Sequence, residues 1–288
     1  MLALGRSGFA LPVLAGLLWL ERRGKFPGHW ASGRPLSSRA RWLARLAGLF
    51  LAADLVVWSH SIDDIGAGLG TVLSNLQLLI VSLVGWLVLG ERPRRSLLVA
   101  APVMVFGLLL VGGVLTGGGY GRDPRLGVVY GIGVAIFYSV YILLLRQAAT
   151  GESSAIETLF QATVGATVGA AVLGAALRDF RLGPAWPAVG WLVVLALTSG
   201  VLGWLLLTIS MPRLPAWLAS SLLLVQPAGS VLLGAVFLGE RPTLLQQAGV
   251  VIMLGGVLVA ARGAGGTRGT AVIEESAVAI EPDANING

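Results

Sequence analysis

The sequence predicts an all-α integral membrane protein with nine transmembrane helices. Its 288 residues are 56% apolar and only 12% charged, whereas soluble proteins carry about 25% charged residues. Nine apolar runs of about 20 residues, the length that crosses a bilayer as a helix, recur from end to end. The runs are continuously apolar and do not alternate with a period of two, which favours helices over a β-barrel.

Short connectors rich in Gly, Pro and charged residues separate the runs, as expected of surface loops. The first run resembles a secretory signal, but positive charge follows it and no small-residue cleavage pattern is present, so we count it as a span. The nine predicted spans are 3–20, 43–60, 68–89, 96–116, 126–145, 157–177, 187–208, 215–238 and 244–262.

The distribution of basic residues predicts the orientation of the chain, because Lys and Arg concentrate in short loops on the cytoplasmic side. If the connector between the first two spans is cytoplasmic, that side collects 14 of the 20 Lys and Arg residues, and the other six, Arg6 among them, lie on the opposite side. We therefore predict a multi-pass protein of the inner membrane with a cytoplasmic C-terminus. Residues 263–288 are Gly-rich and then acidic, and we expect them to be a disordered tail.

A four-residue motif occurs twice, 149 residues apart, as Gly90, Glu91, Arg92, Pro93 and as Gly239, Glu240, Arg241, Pro242. The same spacing pairs identical residues elsewhere, including Gln77 with Gln226, Met104 with Met253 and Gly107 with Gly256. Five predicted spans lie between the copies, an odd number, so the two copies reach opposite surfaces and the repeats are inverted. Inverted repeats are the architecture of alternating-access transporters, in which the substrate site lies near the midplane.

Each residue type in the motif suits a tight turn between two helices. Gly tolerates the left-handed backbone that ends a helix, and Pro fits the first turn of the next helix. Glu and Arg are expected to pair at the surface. The alternative is that Glu91 or Glu240 takes a direct part in transport.

The segments "AGLGTVLSNLQLLIVSLVGWLVLGERP" and "LPAWLASSLLLVQPAGSVLLGAVFLGERPTLLQQAGVVIMLGGVLV", with "AIFYSVYILLLRQ" between them, resemble the drug/metabolite transporter superfamily, EamA-like branch. The resemblance covers nearly the whole chain. It implies a carrier of ten helices in two inverted five-helix halves, which exports amino acids and other small metabolites. Here it implies a first repeat at 1–118 with four helices and a second repeat at 119–262 with five.

Two departures from the family pattern follow from this resemblance. The first span looks like the family's second helix, so the family's first helix is missing; a translation start assigned too late and a true nine-helix protein are both open. Leu78 stands where the family's fourth helix often carries Pro, while the second repeat keeps Pro227. We therefore expect the first repeat's helix to be the straighter of the two.

Asp54 is the strongest candidate for contact with a substrate. It lies nine residues beyond Arg45, about 13 Å along a helix, and thus near the midplane, where charged side chains usually face a cavity or a partner. Trp58 shares its helix face. Asp54 could exchange a proton or bind a cationic group, or it could hydrogen-bond a neighbouring helix. Tyr138 and Tyr141 lie on one stripe of the fifth span and either contact substrate or pack in the core.

Neutral polar groups are predicted at comparable depth in two other spans. Asn75 and Gln77 belong to the third span, and Gln226 belongs to the eighth. Beside it, Pro227 leaves one backbone carbonyl without its helical donor. These groups either line the substrate pocket or hold the helices together through hydrogen bonds.

The sequence argues against an enzyme and against a bound cofactor or metal. It has no cysteine, no His-Glu-x-x-His motif and no Gly-x-Ser-x-Gly motif. We interpret His60, Asp63 and Asp64 as a solvated turn and not as a metal site. The loop "TGGGYG" lacks the Gly-Lys-Ser/Thr ending that binds nucleotide phosphates. No basic and aromatic patch predicts nucleic-acid binding.

The combined prediction is a secondary, non-ATP carrier that exports small metabolites such as amino acids by rocking of two halves. Its predicted partners are a small-molecule substrate and the lipid bilayer, and a homodimer is left open. The alternative is a membrane-embedded regulator or assembly factor, which would need no polar cluster at the midplane.

Overall fold

The computed structural model describes residues 2–25, 34–89, 95–112, 120–148, 154–176, 186–206 and 216–264. These ranges are almost entirely helical, which confirms the predicted all-α class, and the described part of each of the nine predicted runs is mostly helical. The helices are α1 Leu2–Arg22, α2 Ser38–Ile65, α3 Ala67–Ser74, α4 Gln77–Leu89, α5 Arg95–Val111, α6 Pro124–Ala148, α7 Ala155–Ala176, α8 Ala188–Leu195 with its π-helical continuation Ala196–Gly203, α9 Ala216–Phe237 and α10 Leu244–Ala264.

Five of the described helices are long and apolar enough to cross a bilayer: α1, α2, α6, α7 and α8 with its continuation. Shorter apolar helical segments in the described ranges are Ala67–Val81, which spans the junction of α3 and α4, Leu98–Val111, Gln226–Phe237 and Leu244–Ala260. Large apolar side chains such as Trp191 and Val251 are mostly exposed. This combination is that of a multi-pass membrane protein, in which lipid covers the outer surface.

The expectation of a straighter helix around Leu78 is wrong. The third predicted span is broken at Asn75, between α3 and α4, whereas α9 continues through Pro227. The Asn75 side-chain amide donates to the carbonyl oxygens of Thr71 at 3.1 Å and Val72 at 3.3 Å. Asn side chains that bind nearby carbonyls compete with the helical ladder, so this helix is interrupted without a proline.

Contacts between helix termini define the two ends of the bundle. At one end, Glu157 in the first turn of α7 binds the backbone of Leu36, just before α2, and the side chain of Arg22 at the end of α1. At the other end, Glu240, which follows α9, binds the backbone of Ala67 at the start of α3. We call these the Glu157 end and the Glu240 end; α2 runs from the first to the second.

Glycines let α2 pack closely against two neighbouring helices. α2 and α7 cross at Gly48 and Gly165, where an added Cβ on either residue would meet the backbone of the other helix. On the α6 side, an added Cβ at Gly127 would meet the side chain of Ile65. Small residues at such crossings allow the van der Waals contact that holds helices together in a membrane.

Candidate functional site

Asp54 lies near the middle of the 28-residue helix α2. The residue is only 6% exposed, and its Oδ1 atom has no hydrogen-bond partner among the described residues. A buried carboxylate oxygen without a donor is unfavourable. A proton or a ligand N–H group would therefore bind favourably at this atom.

The positive charge near Asp54 comes from Arg6 in α1. Arg6 Nη2 donates a hydrogen bond to Ser199 Oγ in the π-helical segment at 3.1 Å, and the guanidinium lies within electrostatic range of the Asp54 carboxylate and of the side chains of Tyr138 and Tyr141. The assignment of Arg6 to a surface by charge counting is wrong, because the residue is half-buried within α1. Its place inside the apolar run 3–20 was the signal that could have revealed this role.

Aromatic rings form the adjoining wall of this polar cluster. The ring centroids of Tyr138 and Tyr141 are 5.5 Å apart, and Tyr141 meets Trp204 edge-on at 5.9 Å. Tyr141 is 1% exposed, and its hydroxyl has no partner among the residues that the structure describes. The group that we call the Asp54 cluster comprises Arg6, Asp54, Tyr138, Tyr141, Ser199 and Trp204.

Three other predicted site residues lie in different surroundings. Trp58 packs against an apolar cluster formed by α1, α2 and α7. Asn75 uses its amide within its own helix. Gln77 begins α4, and its Oε1 atom is buried without a partner in the described ranges. Of these three, Gln77 alone offers an unpaired buried polar atom.

Gln226 and Pro227 lie on α9, beside an open groove of about 560 Å³. Gln226 is exposed and lines this groove with Ser230 of α9 and Ala67 of α3, whereas Pro227 is buried. The groove is near the Glu240 end. Among the described residues, the neighbours of Gln226 are therefore those of the groove and not those of the Asp54 cluster.

The second copy of the motif makes a contact between helices. Gly239 has a positive φ of 66°, as the turn requires. Glu240 is buried and accepts the N–H groups of Ala67 at 2.5 Å and Gly68 at 3.1 Å. The expected surface pairing of Glu240 with Arg241 is wrong, because unpaired N–H groups at the start of α3 attract the carboxylate inward. The first copy, Gly90, Glu91, Arg92 and Pro93, lies outside the described residues.

Glu157 was not among the predicted site residues. It is 2% exposed; its Oε2 atom accepts the Leu36 N–H at 3.2 Å, and its Oε1 atom lies 3.3 Å from Arg41 Nε and 3.5 Å from Arg22 Nη2. An acidic residue in the first turn of a helix is favoured by the helix dipole. The position of Glu157 at the start of a predicted span was therefore the feature of the sequence that could have identified it.

The interpretation of His60, Asp63 and Asp64 as a solvated turn is wrong, because all three lie in helix α2 and Asp64 is buried, with 1% exposure. Asp64 pairs with Arg122 Nη2 at 2.8 Å, and the ring of His60 lies 5.5 Å from that of Tyr130. Across the described ranges, no three His, Asp or Glu side chains converge as a metal ion would need.

Comparison with known proteins yields matches to transporters. A family model described as the EamA-like transporter family matches residues 1–113 and 125–262. An uncharacterized transporter of Archaeoglobus fulgidus is 29% identical over 174 residues, which are 60% of this chain and 60% of that protein; the match thus spans about three fifths of the relative's length. A solved crystal structure shares the fold with a TM-score of 0.52 and 22% identity, covering 90% of this chain and 86% of the other.

Proposed function

Because the chain belongs to the EamA-like transporter family and is therefore a membrane transporter, we propose that it exports small metabolites, amino acids and related compounds among them. The proposed mechanism is alternating access in a secondary carrier that uses no ATP. Its energy comes from a substrate gradient or from proton exchange through Asp54. The proposed location is the inner membrane with the C-terminus in the cytoplasm, supported by the excess of basic residues on that side.

The observation that carries this proposal is the Asp54 cluster. Ionisable residues within membrane helices are unfavourable and usually mark a substrate or ion pathway. Asp54 Oδ1 and the Tyr141 hydroxyl are both buried without partners among the described residues. A ligand that supplied donors and acceptors to these atoms would remove the cost of leaving them unpaired.

The charges of the cluster match those of an amino acid. Arg6 offers hydrogen-bond donors to a carboxylate, and Asp54 offers acceptors to an ammonium group. The rings of Tyr138, Tyr141 and Trp204 provide an apolar surface beside these charges. A zwitterionic ligand would also leave the net charge of the site unchanged, which avoids burying an extra charge.

We further propose that residues 1–118 and 119–262 are two inverted repeats. Residues related by the 149-residue spacing pack reciprocally: an added Cβ at Gly107 would lie 2.6 Å from Met253 Cγ, and one at Gly256 would lie 2.5 Å from Met104 Cγ. Reciprocal contacts of this kind are produced by a two-fold relation between halves. They support a rocking motion of one half against the other.

The partners in this proposal are the small-molecule substrate and the lipid bilayer, with no nucleic acid. Apolar side chains such as Trp191 and Val251, which are 71% and 69% exposed, suit contact with lipid. A homodimer formed through part of the same apolar surface is compatible with the proposal.

The experiment that tests the proposal is a metabolite profile of the medium around cells that overproduce the protein. We expect at least one amino acid or related compound to accumulate outside, and Asp54→Asn to reduce its export about tenfold, as the loss of one hydrogen bond to a charged group would. The matched control is Asp63→Asn, which changes an exposed residue of the same helix and should export normally.

Unchanged export by Asp54→Asn would refute the role of Asp54. An unaltered profile on overproduction of the wild-type chain would refute the export proposal and favour a membrane-embedded regulator. In vesicles, Asp54→Asn should also abolish proton-dependent flux, and flux that remained proton-coupled would refute proton exchange at this residue.

A further inference from the structure

The carboxylate of Glu240 lies in a cradle built by α3 and α9. Its two oxygens accept the backbone N–H groups of Ala67 and Gly68, one each. An added Cβ at Gly66 would lie 2.7 Å from Oε1, one at Gly68 would lie 3.0 Å from Oε2, and one at Gly234 would also meet Oε2. The three glycines thus leave the space that the carboxylate occupies, and both of its oxygens are bound.

The carboxylate of Glu157 makes an equivalent connection at the opposite end. Oε2 accepts the Leu36 N–H, and Oε1 faces Arg41 and Arg22. The Ser154 hydroxyl accepts the Glu157 N–H at 3.0 Å, which fixes the first turn of α7. Both buried glutamates therefore belong to the proposed second repeat and accept backbone N–H groups of the proposed first repeat, one at Glu157 and two at Glu240.

From this arrangement we infer that Glu157 and Glu240 are positioning residues that act as two latches, each closing the seam between the halves at its own end of the bundle. The inference rests on the alternating-access function proposed above. Both latches are engaged in this structure, and Asp54 lies between them on α2. Opening of one end releases one latch while the other stays engaged.

Glutamate is chemically suited to a reversible latch. A carboxylate that accepts backbone N–H groups makes charge-assisted hydrogen bonds, which are stronger than neutral ones. Glu157 Oε1 adds ion pairs with Arg41 and Arg22, without a hydrogen bond among the described residues. When the seam opens, the released carboxylate is well hydrated, so separation costs less than leaving a buried charge unpaired. An apolar contact at the same place would instead oppose the entry of water.

The test is hydrogen exchange of the full chain in lipid nanodiscs, measured at Ala67 and Gly68 and, separately, at Leu36. Glu240→Gln, which keeps the size of the side chain, should speed exchange at Ala67 and Gly68 about tenfold. It should also slow exchange at Leu36, because the open population shifts to a state in which the Glu157 latch is engaged. Glu157→Gln should produce the opposite pattern.

Matched controls are Arg241→Gln and Arg39→Gln, which change exposed residues near each latch and should leave exchange at both ends unchanged. Faster exchange at one end with no change at the other would mean a local cap, and faster exchange at both ends would mean general loosening; either result overturns the latch proposal. If Glu240→Gln does not fold, Glu240→Asp, whose shorter side chain withdraws the carboxylate, is measured against the same expectation.

The exchange assay needs no substrate, so the latch proposal and the export proposal fail separately. An export profile that supports the carrier, combined with a one-ended exchange response, would overturn only the latches. An opposed exchange response without export would overturn the export proposal and leave the latches in place.

Discussion

Replacing Gly48 with Ala adds one methyl group at the crossing of α2 and α7. The new Cβ would lie 2.6 Å from the Ala166 amide nitrogen and 2.9 Å from the Ala162 carbonyl carbon, whereas ordinary van der Waals contact begins at 3.4 Å. It would come closer still to the Ala162 carbonyl oxygen. All three atoms belong to the backbone of α7, so no side chain can turn aside and the two helices must separate.

The expected change in the free energy of unfolding of Gly48→Ala is the sum of two opposing effects. Overpacking a tight contact typically costs 1–3 kcal/mol, and we take about 3 kcal/mol because backbone must move. Ala is favoured over Gly within a helix by about 1 kcal/mol. The free energy of unfolding should therefore fall by about 2 kcal/mol, which corresponds to a Tm lower by roughly 4–8 °C for a chain of this size.

The assay is the fraction of detergent-solubilised, fluorescently tagged protein that still elutes as a single species from a sizing column after heating. Gly16→Ala in α1 is the matched control, because nothing lies within 4 Å of its added Cβ; it should melt at the wild-type temperature or slightly above. A Tm for Gly48→Ala equal to that of Gly16→Ala would refute the close crossing of α2 and α7.

Two further substitutions test local contacts. Gln246→Leu removes the side-chain oxygen that accepts the Tyr120 N–H at 2.7 Å, and should lower the free energy of unfolding by about 2–3 kcal/mol in a denaturant titration. The control, Gln247→Leu, changes an exposed neighbour and should alter the free energy of unfolding by less than about 0.5 kcal/mol. Equal effects of the two substitutions would contradict a buried hydrogen bond at Gln246. Asn75→Leu removes the side-chain amide that donates to backbone carbonyls at the break between α3 and α4. The helical hydrogen bonds should then continue through this point, so hydrogen exchange of the backbone amides after residue 75 should become slower. Unchanged exchange would mean that the break has another cause.

The helices were predictable from the sequence because a bilayer demands long apolar segments that satisfy their own backbone hydrogen bonds. The described part of each of the nine runs is mostly helical for this reason. Asp54 was recognisable as a candidate on the same grounds, since a carboxylate in the middle of an apolar run needs an explanation. The match of the family model to most of the chain confirms the resemblance first seen in the repeated segments.

The partners of the buried charges were not predictable, because they depend on tertiary contacts between distant parts of the chain. Arg6 meets Ser199 across 193 positions, and Glu240 meets Ala67 across 173. The break at Asn75 was missed for a different reason. Proline was taken as the cause of an interrupted helix, whereas here a side-chain amide interrupts it and Pro227 does not.

The π-helical segment determines which side chains can reach the Asp54 cluster together. Ser199 and Trp204 are five positions apart, and in an α-helix such residues point about 140° away from each other. Hydrogen bonds from i to i+5 widen each turn and bring residues five apart close to a common face. The wider turn therefore lets one helix present the Ser199 hydroxyl to Arg6 and the Trp204 ring to Tyr141. The shape of this cluster thus depends on the number of residues per helical turn as well as on which side chains are present.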